Sequence, residues 1–198
     1  MKRSALGALV ISLAACTTSG DGVETTTPQT LVAPTTTTLA EVPTTSTGAP
    51  MMDVISEAFT PGEVIPTEFT CDGANVSPPL SISDLSSDVG SLVIIMDDPD
   101  APVGVWDHWV EYDIPITGSG MEIPADAGPL GVQGINSWNL PGYGGPCPPE
   151  GETHTYFMRV YAIDGMLGLP AGVDSEVVRE AMSGRILAEI QLTGQYSR

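Results

Sequence analysis

From Ser91 to Met96 the chain reads Ser-Leu-Val-Ile-Ile-Met, an unbroken run of large apolar and β-favouring residues that predicts a strand buried on both faces. Asp97-Asp98-Pro99-Asp100-Ala101-Pro102 ends it, because the prolines remove donors and restrict their predecessors. Two further segments alternate with period two. Across His108–Ile114, His108, Val110, Tyr112 and Ile114 fall on one face, with Trp109, Glu111 and Asp113 opposite. Across 153–163, His154, Tyr156, Met158 and Val160 alternate with Thr155, Phe157, Arg159 and Tyr161, so His154 and Tyr156 are expected to project together. Shorter strand candidates at 53–59 and 63–69 flank Pro61-Gly62, and Asn75 through Pro79 brings turn chemistry. Near the C-terminus Val178, Met182, Ile186 and Ile190 recur every four residues, which predicts helix over 174–190. Asp174 or Ser175 would cap it, and Gly184 would divide it. The pattern describes a mostly β domain with C-terminal helical packing.

The first fifty residues follow other rules. Met1-Lys2-Arg3 precedes an apolar or small stretch at 4–15, and Leu13-Ala14-Ala15-Cys16 closes it. This resembles a bacterial lipoprotein signal, in which residues 1–15 are cleaved away and Cys16 is lipidated; an ordinary secretory signal is the alternative. Residues 17–50 hold 13 Thr and 4 Pro, with no aromatic residue, Lys or Arg. They bury too little apolar surface to offset ordering, so 16–50 reads as the lipidated cysteine and an extended tether. The folded domain is then 51–198.

Charge narrows the function classes. The 198-residue chain carries 25 acidic and 6 basic residues, a formal −19, which disfavours nucleic acid and anionic membrane surfaces as partners. Its length suits one domain once the tails are set aside, and 41% apolar composition supplies a core. Residues 51–198 have 22 acids, four arginines and no lysine, although one arginine can still serve a local anion site.

The chemical inventory is short. Asp97, Asp98 and Asp100 sit beside prolines, and His108 and His154 are the two histidines, on strands joined by a Gly- and Pro-rich connection suited to a site-forming loop. A carboxylate paired with a histidine holds a proton donor or orients an anion. Asp100 reads as a structural acceptor of backbone donors. No short histidine pair makes a zinc motif; convergence of His108, His154, Asp98 and Cys147 on a metal has little support, and no metal or cofactor is expected. Ser77, Ser91 and Ser137 lie in no nucleophile elbow, so a hydrolase is a minor alternative and the expectation is a non-enzymatic protein.

An ordered set of motifs adds to this. Phe69-Thr70-Cys71-Asp72-Gly73, Ser77-Pro78-Pro79, Asp97 through Pro102, Trp106-Asp107-His108-Trp109, Gly144 through Pro149 and His154-Thr155-Tyr156-Phe157 span almost all of 52–198. The chain resembles the bacterial branch of the phosphatidylethanolamine-binding protein family, also described as Raf-kinase-inhibitor-like. That resemblance implies antiparallel β-sheets and a shallow anion pocket lined by Asp98, Pro102, His108, Gly145, Pro146, His154 and Tyr156. It implies that His108 and His154 donate hydrogen bonds or positive charge, that Asp98 orients a histidine or receives a ligand amine, and that Tyr156 adds a donor and a wall. Many relatives have Arg where this chain has Thr155, a loss that bears on phosphate recognition. With Cys16 lipidated, Cys71 and Cys147 are the remaining pair, and an exported setting permits their disulfide; two buried thiols are the alternative. The expected function is a lipid-anchored bacterial envelope protein that binds a phosphate-like anion or phospholipid headgroup, for regulation rather than bulk lipid transport. An inhibitor or adaptor engaging an unidentified envelope protein is the alternative from another class.

Overall fold

The computed structural model describes residues 52–198, which fall within one compact unit. The expected signal segment, Cys16 and the tether lie outside the described residues. The strands are β1 (Asp53–Ile55), β2 (Leu80–Ser83), β3 (Ser91–Asp98), β4 (Trp106–Pro115), β5 (Met121–Ile123), β6 (Val132–Gln133), β7 (Thr153–Ile163) and β8 (Ile186–Ser197). One helix, α1 (Ser175–Met182), lies between β7 and β8. A five-stranded sheet runs β6-β4-β3-β7-β8 and a three-stranded sheet runs β1-β2-β5, with every pairing antiparallel.

β3 occupies the middle of the larger sheet, and all eight of its residues are buried. Leu92, Ile94 and Met96 face a core shared with Val54, Leu80, Ile82 and Ile123 of the smaller sheet. Val93 and Ile95 face the opposite core, under Val178 and Met182 of α1. Burial on both faces is the arrangement that the Leu-Val-Ile-Ile-Met run requires.

Several sequence expectations change. Strand 53–59 stops at Ile55 because Ser56 turns inward: its hydroxyl donates to the Pro79 carbonyl at 2.7 Å and accepts the Ala58 N–H at 3.2 Å. Segment 63–69 is not a strand. Pro66 interrupts it, Val64 forms one isolated parallel bridge to Gln195, and Thr67–Phe69 is a 3-10 turn. The predicted helix 174–190 covers only Ser175–Met182, capped by Asp174, whose carboxylate accepts the Val177 N–H at 3.0 Å. Gly184, with φ 75°, turns the chain, and β8 then pairs along the length of β7. Spacing of four is even, so Ile186 and Ile190 share a face in a strand as they do on a helix. The helix is therefore not terminal; β8 ends the fold.

The largest correction concerns β4. Met96 pairs with Trp109 and Asp97 pairs with Asp107, which leaves His108 as the extra residue of a β-bulge. A second shift occurs where Leu92 pairs with Ile114 and Ile94 with Glu111, at Asp113 with φ 54°. Consequently His108 does not share the face of Val110 and Tyr112, which pack toward α1. It turns with Trp109 toward the space between the sheets.

Candidate ligand-binding site

The site is built where β3, the bulged start of β4 and the start of β7 lie side by side. Alternation at the end of β3 sends Asp97 and Asp98 to opposite faces. Asp98 Oδ2 lies 2.8 Å from His154 Nδ1, while its Oδ1 accepts the Asp100 N–H at 2.9 Å, so this carboxylate both orients a histidine and shapes the turn. Asp100 in turn accepts the Thr155 N–H at 2.8 Å, tying the loop to β7. On the other face Asp97 pairs with Arg159 and with Arg179, the latter at 2.9 Å. The remaining two arginines of the described residues are also engaged, Arg185 by Asp164 and Arg198 by Asp72.

His154 sits between two acids, because its Nε2 lies 3.1 Å from Glu152 Oε2. Burial by itself lowers the imidazole pKa, but hydrogen bonds to Asp98 and Glu152 and their charges outweigh it and hold the pKa above the ordinary histidine value. His108 has the opposite setting. Its Nδ1 lies 2.7 Å from the Gly144 carbonyl and 3.2 Å from that of Gly145. Carbonyls only accept, so Nδ1 carries the proton and the neutral ring keeps its lone pair on Nε2. Burial lowers the His108 pKa, against the smaller opposing pull of Gly144 and Asp98.

Tyr156 links the two rings, edge-on to His108 at 5.1 Å and stacked near His154 at 6.5 Å. Tyr156 is 1% exposed, and its hydroxyl lies near Asp98 and the Cys147 backbone without full hydrogen-bond geometry to either. Burial first, and then the nearby Asp98 carboxylate, push the phenol pKa far upward, so it stays a neutral donor. Trp106 pairs across the strands with Asp98, and its buried indole N–H is also without an acceptor. Trp138 closes this side, 5.4 Å from Trp106 and 5.0 Å from His108, both edge-on.

The matching family model describes phosphatidylethanolamine-binding proteins and covers residues 55–197. The chain belongs to the phosphatidylethanolamine-binding protein family. A relative from Methanothermobacter thermautotrophicus is 47% identical over 152 residues, covering 74% of this chain and 99% of the relative. One from Aquifex aeolicus is 44% identical, covering 77% and 92%. Among solved structures, a phosphatidylethanolamine-binding protein homologue of Chlamydia trachomatis superposes with TM-score 0.70 at 38% identity, covering 75% of this chain and 99% of that one. Escherichia coli YbcL, described as a member of the mammalian family, gives 0.68 at 30% identity, with 74% and 98% covered.

Within this family fold the seven expected ligand residues separate into groups. Asp98, His108, Gly145, His154 and Tyr156 form a continuous set of contacts. Pro146 backs that set, its carbonyl accepting the Cys71 N–H at 3.1 Å. Pro102 is exposed on the 99–105 turn and is not part of the set. Gly145 is needed for close approach: a Cβ would stand 2.5 Å from the Phe69 carbonyl oxygen, while its N–H donates to Asn75 Oδ1 at 2.7 Å. A disulfide joins Cys71 to Cys147 nearby, so Cys147 offers no thiolate to a metal. A cavity of about 310 Å³ adjoins Gly144 and Gly145, walled by Trp138, Leu140 and Tyr143. It borders the His108 side of the site and does not reach His154.

Trp106 and Glu152 were missing from the expected ligand set. Trp106 was detectable, since it begins the Trp-Asp-His-Trp motif and faces the same way as Asp98 once the strands are paired. Glu152 carries a local signal too, because it stands two residues before His154, just ahead of the alternating strand. As for the serines, the Ser91 hydroxyl donates to the Gly165 carbonyl at 2.6 Å and Ser137 Oγ accepts the Asp107 N–H at 2.8 Å. The Ser77 hydroxyl is buried without a partner. Among the described residues none of the three is hydrogen-bonded to a histidine.

Proposed function

We propose that this family member is an exported envelope protein, lipid-anchored at Cys16, whose domain binds a small phosphate-like anion, free or as a phospholipid headgroup. Its role is regulatory and non-catalytic. The observation that carries the reading is the Tyr156 hydroxyl, buried beside both histidine rings and near Asp98 and the Cys147 backbone, yet in full hydrogen-bond geometry with neither. Such an orphan costs about 1–3 kcal/mol, which a ligand oxygen recovers by accepting its proton. The Trp106 indole N–H offers a second donor, and His108 Nε2 accepts from a protonated ligand oxygen. The anchor rests on the sequence of residues 1–16, and the acidic domain itself has no electrostatic reason to lie on an anionic bilayer.

Two-dimensional NMR of the full chain tests this with inorganic phosphate, phosphoethanolamine and phosphatidylethanolamine vesicles. Saturable shifts at His108, Tyr156 and His154 are expected. Response to phosphate alone assigns a free anion, and response to vesicles assigns a headgroup. Silence with all three sinks the reading. A second reading is favoured by the exposed Val103 and Val105 on the turn before Trp106 and the exposed Trp138, which packs on Trp106, and Leu140 in the same loop; such side chains suit a protein partner. A stoichiometric partner captured from native envelopes and retained by His108→Ala would favour it.

A further inference from the structure

Both nitrogens of His154 are already occupied by carboxylates, and those carboxylates are not equivalent. The Asp98 side chain is 5% exposed and also receives the Asp100 N–H. The Glu152 side chain is 51% exposed, and among the described residues its carboxylate has no partner except His154. A buried, doubly held carboxylate is a fixture of the site. An exposed, singly held one gives way easily, because solvent-exposed ion pairs are weak. Glu152 lies two residues before His154, immediately ahead of β7, and its carboxylate takes the His154 nitrogen that Asp98 leaves free.

We infer that Glu152 sets the ligand specificity of this site: its carboxylate holds the anion position at His154 Nε2, and an arriving anion must displace it. This rests on the anion-binding reading above and extends it. The competitor is tethered two residues from its target, so its effective concentration is high and constant. Once displaced, its negative charge remains beside the ligand. A dianion is therefore opposed more than a monoanion, and a zwitterion is opposed least, because its ammonium can pair with the released carboxylate. The ligand class selected is a singly charged or zwitterionic phosphate ester rather than a phosphate dianion. His108, buried with its Nδ1 donating to the Gly144 carbonyl, presents a lone pair at Nε2 and adds no cation that would reverse this preference.

The test uses the full chain as wild type, Glu152→Gln, Glu152→Ala and Glu150→Gln, with calorimetric and NMR titrations at one pH and ionic strength. Glu150 is exposed, and its substitution removes the same net charge without touching His154. Phosphate affinity is expected to rise about tenfold in Glu152→Gln, the scale of one like charge removed a few ångströms away, and further in Glu152→Ala. Affinity for glycerophosphoethanolamine, a zwitterionic phosphodiester, is expected to change less than about threefold, because its one negative charge is repelled while its ammonium is attracted. Equal phosphate affinity in wild type and both Glu152 variants, with His154 shifting in each, overturns the inference while leaving the anion site standing. An equal gain in Glu150→Gln overturns it as well, since net charge alone then explains the effect. Absence of any shift at His108, Tyr156 and His154 in all four proteins overturns both the inference and the reading beneath it.

Discussion

His108 and His154 face one tyrosine ring from two neighbouring parts of the sheet, and their surroundings treat charge in opposite ways. His154 lies between carboxylates that favour the imidazolium. His108 is buried between Tyr156 and Trp138, and that burial favours the neutral ring against the weaker opposing pull of the Gly144 carbonyl and Asp98. The difference shows that a pair of histidines does not by itself make a cationic pocket. Here one supplies a charge already balanced by acids and the other supplies a lone pair, leaving recognition to uncharged donors.

The disulfide gives the largest way to separate the two. It closes 76 residues of sequence, and Cys71→Ser with Cys147→Ser is expected to cost about 3–4 kcal/mol by urea unfolding. Because it clamps the segment next to Gly145, NMR of the folded variant should show shifts at His108 and little change at His154. Asp98→Ala should do the reverse. Removing the acid from a buried pair costs about 3 kcal/mol, and the His154 pKa should fall while that of His108 moves much less.

The pH dependence sharpens the contrast with a smaller effect. His154 is raised in the fold, so its stabilisation is complete below the ordinary histidine pKa and is lost as pH rises through the folded value. His108 is lowered, so its contribution is present above the ordinary value and is lost as pH falls toward the folded one. His108→Asn, which keeps a donor for the Gly144 carbonyl, should therefore lose less stability than wild type between neutral and mildly acid pH. Urea midpoints at both pH values measure it, and an unchanged difference would contradict the His108 assignment. The smallest stability change belongs to Tyr156→Phe. Deleting an unpartnered hydroxyl should alter stability by less than about 1 kcal/mol, or improve it, while phosphate affinity drops about tenfold.

Much of this arrangement was legible in the residues. The continuous apolar run at 91–96 announced a strand covered on both sides, and alternation placed His154 beside Tyr156. The ordered motifs named the family before any coordinates. What stayed hidden was where strict alternation fails. The bulge at His108 follows from the pairing of β3 with β4, a long-range register that no local pattern encodes. The conversion of 186–190 from predicted helix to strand has the same origin, since pairing with β7 decides between two periods that both tolerate a spacing of four.

The engagement of all four arginines among the described residues has a consequence for kinetics. Every positive side chain among the described residues is balanced locally by an aspartate, so the field that reaches into solvent is almost wholly negative. An anion of the proposed class would approach such a surface uphill, and added salt lowers that barrier by shortening the range of the repulsion. Capture by this protein should therefore quicken as ionic strength rises, the reverse of what an electrostatically steered binder shows.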